Sequence, residues 1–366
     1  MAKNTAKTIY SESLALEDGS EYMGHHIDGI PNGLGIMKCQ NGDIYKGHFA
    51  MGKKEGNGQM SSNIGNIYTG SWKNNLKHGY GIYKNTNGDV YRGNFQNDLK
   101  NGKGEMYWIN EDSYVGHWKD DKQDGYGILK NSIFEYQGQF CDGFPEGQGE
   151  IYWKSGAFYK GEMISGEISG YGRYEYKDKS SYFEGEFAGG FPQGYGELHN
   201  KQWHYQGEFN NGQRQGYGIL TIFEGSRYEG WWKNNKMFGK GCIAFKDGRI
   251  YIGEINDSKP NGNGECTYAD GSWYNGSWID GKRFGKGNYT GTDGMRYIGD
   301  WINDMRDGVG HSVEIDNNGH FDVYEGEWKK DKKNGIGKCS HFEDGKKIIE
   351  IEGEWNMGKF VNNSIL

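Results

Sequence analysis

Asp89–Glu111 reads DVYRGNFQNDLKNGKGEMYWINE, and the chain is organised around this 23-residue unit. Tyr91, Gly93 and Phe95 sit at alternate positions, a polar turn follows, and then come Gly102 and Gly104 as a Gly-x-Gly. A second alternating run continues through Met106 and Trp108. Period-two alternation on both sides of a polar turn predicts two strands of a hairpin. The same arrangement starts again at Tyr22, Tyr45, Tyr68, Tyr114, Tyr136, Tyr159, Phe183, Tyr205, Tyr228, Tyr251, Tyr274, Tyr297 and Tyr324, with a degenerate copy at Ile351. Tyr45 with Gly47, and Tyr68 with Gly70 and Trp72, define it as clearly as Tyr91 does.

Fourteen of the fifteen copies carry a Gly-x-Gly whose first glycine lies eleven residues after the start. Spacing between starts is mostly 23 but ranges from 22 to 27, and all the variation follows the Gly-x-Gly. The first half of each unit is therefore a hairpin of fixed register, while the outer connection should absorb insertions as surface loops do. In Y-x-G-x-W the aromatics and the glycine share one face. The motif aromatics then form the working face of the sheet, with exposed aromatic grooves suited to extended peptides or a second sheet. Asn-Gly and Asp-Gly pairs such as Asn87-Gly88 and Asp270-Gly271 mark the outer turns.

The expected fold is all-β: an elongated, twisted, single antiparallel sheet of about fifteen stacked hairpins, with no helical periodicity anywhere. Residues 1–19 read as a tail and cap, 20–355 as a continuous array, and 356–366 as a second cap. Composition agrees with a thin repeat structure. The chain has 64 glycines and 15% aromatics against a hydrophobic fraction of 34%. Disordered chains share the low hydrophobicity but lack aromatics at regular intervals.

Net charge is −8 with both signs mixed, so no basic domain announces nucleic acid. Five scattered cysteines form no C-x-x-C pair, which fits a reducing compartment, and no window is apolar enough for a spanning helix. Each Gly-x-Gly precedes a strand, whereas a phosphate-binding turn needs a following helix. The ten histidines show no metal-ligand spacing in the sequence. Neither catalytic residues nor a cofactor nor a metal is expected.

Two charge patterns remain. The hairpin turns carry Lys53, Lys54, Lys73, Lys77, Lys282, Arg283, Lys329, Lys330, Lys332 and Lys333, a basic ridge open to acidic partners or anionic lipid, with a gap at the centre of the chain. On the face opposite the aromatics, Lys46, His48, Arg92 and His117 give way to Glu208, Glu229, Glu254, Asp300, Glu325, Glu327, Glu352 and Glu354. Unlike ends on one face suit antiparallel self-pairing, so a homodimer is one expectation.

Y-x-G-x-W, a turn and G-x-G on a 23-residue period resemble the MORN repeat, over about residues 21–360. His26, Met163 and Ile255 at the second aromatic position and Phe183 at the first depart from the pattern. The resemblance implies a non-catalytic scaffold that joins proteins in a multisubunit cytoskeletal assembly. Repeat-only members it is similar to include radial-spoke head proteins of the ciliary axoneme and a protist basal-complex scaffold. Alternatives are a basal or cortical scaffold touching anionic membrane through basic turns, and a regulatory subunit of a separate enzyme. All three place the chain in the cytoplasm.

Overall fold

A computed structural model describes residues 7–362. The parts of the expected caps at 1–6 and 363–366 lie outside the described residues. The described residues form thirty-one strands and no helix, and within each unit successive strands pair antiparallel. This is the all-β array of stacked hairpins that the repeat pattern predicts. The chain divides into two units. The first runs to Tyr182 and takes in Phe187–Gly190; the second comprises Phe183–Glu186 and the chain from Phe191 onward.

One repeat shows how residues dictate shape. The strands Val90–Gln96 and Leu99–Tyr107 are joined by Asn97 and Asp98, whose φ values are 50° and 70°. Two successive positive φ values make the type I′ turn that matches strand twist, and Asn and Asp tolerate it best after Gly. Pairing runs from Val90↔Tyr107 to Gly93↔Gly104, then shifts to Phe95↔Lys100. Two steps along one strand thus answer four along the other. Gly102, at φ 88°, sits in the extra length and bends the hairpin tip.

Within each unit the register puts one glycine of each paired motif strand on a line. In the first unit the line runs from Gly24↔Gly35 to Gly161↔Gly172; in the second it runs from Gly196↔Gly207 to Gly337↔Gly353. Tyr91 shows why the line is bare. Its ring lies across Gly93 and Gly104, and a Cβ on Gly104 would stand 2.6 Å from Cε2 and Cζ of that ring. The phenol O–H donates to the Asn94 carbonyl, 3.0 Å away and three residues along the same strand. The strand's second half therefore folds toward the ring and shuts it in.

Burial follows. All fourteen first-position aromatics are 3% exposed or less. This corrects the expectation of exposed aromatic grooves: each unit closes over its own ring, so these side chains are the core. Phe95 meets Tyr91 and Tyr68 edge-on, both at 5.1 Å, and Trp118 meets Tyr91 at 5.4 Å and Tyr114 at 5.2 Å. Edge-to-face pairs add about 0.5–1.5 kcal/mol each beyond area burial. Trp118 Nε1 also donates to the Gly104 carbonyl of the preceding repeat at 3.3 Å. Met163 and Ile255 take the same position and are equally buried.

The 27-residue spacings overturn a second expectation. The strands Met305–Ile315 and Phe321–Lys329 extend the ladder through Val313↔Val323, Glu314↔Asp322 and Ile315↔Phe321. The four added residues of that unit lengthen both strands by two, and the connecting loop stays short. An even addition keeps every side chain on its face, so the sheet accepts it where a loop would only cost entropy.

Burial pushes the phenol of Tyr45 up to about 12 and raises those of Tyr68, Tyr91, Tyr114 and Tyr205 as well, with burial the largest cause in each. In the unfolded chain these groups ionise near pH 10. Their contribution is complete below about pH 10 and is lost as pH rises from there toward the folded values. Thermal stability should thus hold to about pH 9 and fall steeply above about pH 10. Strand circular dichroism and phenolate absorbance should change together. Phenolate appearing while the strand signal persists would contradict this burial.

Candidate interaction surfaces

The basic turn residues divide by strand parity. Lys54 places its Nζ 5.5 Å from the Tyr45 ring centre and 5.0 Å from that of Trp72. Lys77 does the same over Tyr68 and Phe95, Arg283 over Tyr274 and Trp301, and Lys333 over Tyr324 and Trp355. These four cations cover one repeat's tyrosine and the next repeat's second aromatic. Lys100, Arg214 and Arg306 repeat the contact, with Lys100 4.5 Å from Trp118, and burial lowers the pKa of the Lys100 ammonium. Lys53, Lys73, Lys282, Lys329, Lys330 and Lys332 point outward and are exposed. Of the ten basic residues singled out from the sequence, the structure thus packs four against rings and leaves six at the rim.

The same positions lock each repeat to the next. Lys77 N–H donates to Asp98 Oδ1 at 2.8 Å, and Asp98 N–H returns to the Lys77 carbonyl at 3.0 Å. Lys100 with Asp121, Arg283 with Asp304 and Arg306 with Asp331 use the same pair of bonds. All four prolines of the chain occupy this position, at Pro31, Pro145, Pro192 and Pro260. Proline has no N–H to donate. There the following turn supplies glycine (Gly52, Gly166, Gly212, Gly281), which keeps only the return bond, at 2.8–2.9 Å.

The open face is the other one. Bare glycines form the floor of a trough, and the side chains on either side of them form its banks. In the first unit Gly93, Gly104 and Gly116 floor a trough of about 400 Å³. Arg92, Glu105 and Val115 line one bank; Tyr80, Lys103, His117 and Tyr126 line the other. In the second unit Gly287, Gly299, Gly310 and Gly326 floor one of about 560 Å³ between Ile298 and Glu325 on one side and Lys286 and Val309 on the other.

Aromatics stand exposed along the banks: Tyr80 (59%), Tyr126 (51%), Tyr195 (60%), Tyr217 (43%) and Trp231 (52%). Tyr217 and Trp231 meet edge-on at 5.9 Å, and the Tyr217 hydroxyl donates to Glu229 Oε1 at 3.0 Å. Sequence reasoning passed over these residues, although the signal was legible: the tyrosines are the middle residues of Gly-x-Gly, where other repeats carry Lys, Asn, Gln or an aliphatic residue. The second unit's banks also hold Glu208, Glu229, Glu254, Asp300 and Glu327, which makes them acidic as well as aromatic.

The MORN repeat matches this chain at fourteen places: residues 22–44, 45–67, 68–90, 91–113, 114–131, 136–158, 159–181, 183–201, 205–227, 228–248, 251–273, 274–296, 297–312 and 324–345. No curated protein matches it. Among solved structures, the SAS-4 TCP domain of Drosophila melanogaster, in complex with a proline-rich motif of Ana2, is similar at 11% identity. The match covers 62% of this chain and 91% of that one, with a TM-score of 0.21. An inactive virginiamycin B lyase from Staphylococcus aureus, with quinupristin, is similar at 10% identity over 84% and 96% of the two chains, with a TM-score of 0.13. A streptogramin B lyase follows at 11% identity over 76% and 92%, with a TM-score of 0.12. Likeness at that level carries no argument about this chain. The repeats do. With its fourteen matched units spread over most of its length, the chain belongs to the MORN-repeat family, whose repeats serve as scaffolds for protein interaction or membrane binding.

Proposed function

We propose that this chain is a non-catalytic scaffold that joins other proteins in a cytoskeletal assembly, as a radial-spoke head protein does in the ciliary axoneme. The observation that carries the reading is the glycine-floored trough. Motif residues are consumed by the core, so the residues that differ from repeat to repeat face outward along the trough. An extended segment laid there would meet backbone on the floor and aromatic anchors on the banks, the combination that gives interfaces their few strong contacts. In the second unit the acidic banks favour a segment rich in Lys and Arg.

A copy tagged at its natural locus tests the placement. After detergent extraction of cells, the tag should stay with the axoneme. Release into the soluble fraction, or retention at the plasma membrane alone, would sink the ciliary reading.

A further inference from the structure

The two longest hairpins bring together residues that the sequence keeps apart. We propose that His320, His341 and Glu343 form a binding site for a transition metal ion of the zinc type. His320 closes the short loop before the strand Phe321–Lys329; His341 and Glu343 end the strand Lys332–Glu343. Asp322 pairs with His341, and Phe321 with Phe342, in antiparallel register. Alternation then sets His320 and Asp322 beside Glu343 and His341 on one face. Behind them the rings of Phe321 and Phe342 stack at 4.6 Å and 7° between planes, which steadies the block.

Each of the three residues offers one ligand atom, and these atoms all lie within 4.8 Å of one another. His341 Nε2 stands 3.4 Å from Glu343 Oε1. That matches the roughly 3.4 Å edge of a tetrahedron with metal–ligand bonds of about 2.0–2.1 Å. Both imidazoles also have a carboxylate at Nδ1. Asp322 Oδ1 is 2.7 Å from His341 Nδ1, and Asp316 Oδ2 is 3.4 Å from His320 Nδ1. A carboxylate at one ring nitrogen fixes the tautomer and leaves the other nitrogen for metal, the usual support of a metal-binding histidine. Glu314 pairs in register with Asp322 but is engaged by Arg306 at 3.6 Å and Lys333 at 4.0 Å.

Two imidazoles and a carboxylate, with water completing the shell, suit Zn²⁺; Mg²⁺ and Ca²⁺ prefer oxygen donors throughout. The ion would pin two successive outer turns, both belonging to units lengthened to the 27-residue spacing. Those added residues carry the strands far enough out to set the histidines side by side. Asp322 is a positioning residue here and not a ligand.

The test titrates the full chain with ZnCl₂ against a chromophoric chelator, after alkylation of its accessible cysteines; Cys266 and Cys339 are buried. Wild type should bind one Zn²⁺ and gain melting temperature. The His320→Gln/His341→Gln protein should retain its strand signal and bind about 100-fold more weakly. Asp322→Asn should lose about tenfold while keeping the stoichiometry. Zn²⁺ held equally by wild type and the double variant would be an adventitious ion only. That result, or no stoichiometric binding by wild type, overturns the site.

Discussion

Gly104→Ala is expected to destabilise the protein by about 3 kcal/mol or more, although the change adds one methyl group. The new Cβ would stand 2.6 Å from two carbons of the Tyr91 ring, well inside van der Waals contact. The ring has nowhere to go. Phe95 and Trp118 flank it edge-on, and its hydroxyl is tied to the Asn94 carbonyl. Gly102, two residues away, provides the comparison. It has φ 88°, and a Cβ there would meet nothing closer than Asn94 Cβ at 3.5 Å. Gly102→Ala should thus pay only the left-handed backbone strain, about 1–2 kcal/mol. Urea denaturation of the two variants measures both. Equal losses would mean that the glycine line is a matter of backbone freedom and not of ring packing.

The second large effect uses adjacent tryptophans. Trp232→Ala should cost about 3–5 kcal/mol. Trp232 is 3% exposed, lies edge-on to Tyr205 at 5.1 Å and Tyr228 at 5.3 Å, and donates from Nε1 to the Gly218 carbonyl at 3.2 Å. Arg214 lies 4.3 Å over its ring. Trp231→Ala should change stability by less than about 0.5 kcal/mol, because that ring faces the trough. A repeat array passes stability only between neighbours. Hydrogen exchange in the Trp232 variant should therefore accelerate around Gln213–Ala244 and stay unchanged in repeats far from it. Uniform acceleration along the chain would contradict nearest-neighbour coupling.

The repeat and its register were open to reading because eleven residues separate Tyr91 from Gly102, and likewise in every complete unit. Hairpin pairing and the fold class follow from that constancy. Burial of the aromatics was not legible, because a single sheet leaves both faces open unless it bends. The bend rests on Gly102 taking positive φ inside a bulge, which alternation alone does not reveal. Lys53 and Lys54 looked alike in the sequence, yet parity sends one to the rim and the other over Tyr45. The insertion before Phe321 read as a loop because nothing in its composition says that four residues will divide evenly between two strands. The His320, His341 and Glu343 cluster stayed hidden for a related reason: only the extended register brings it together.

The central claim is that partners are held along the trough and that the motif rings are core. The direct test is quantitative cross-linking in cells of the wild-type chain against Tyr195→Ala/Tyr217→Ala/Trp231→Ala. The triple variant should melt like wild type and lose the protein partners that wild type retains. A variant that melts like wild type and keeps every partner would contradict the account.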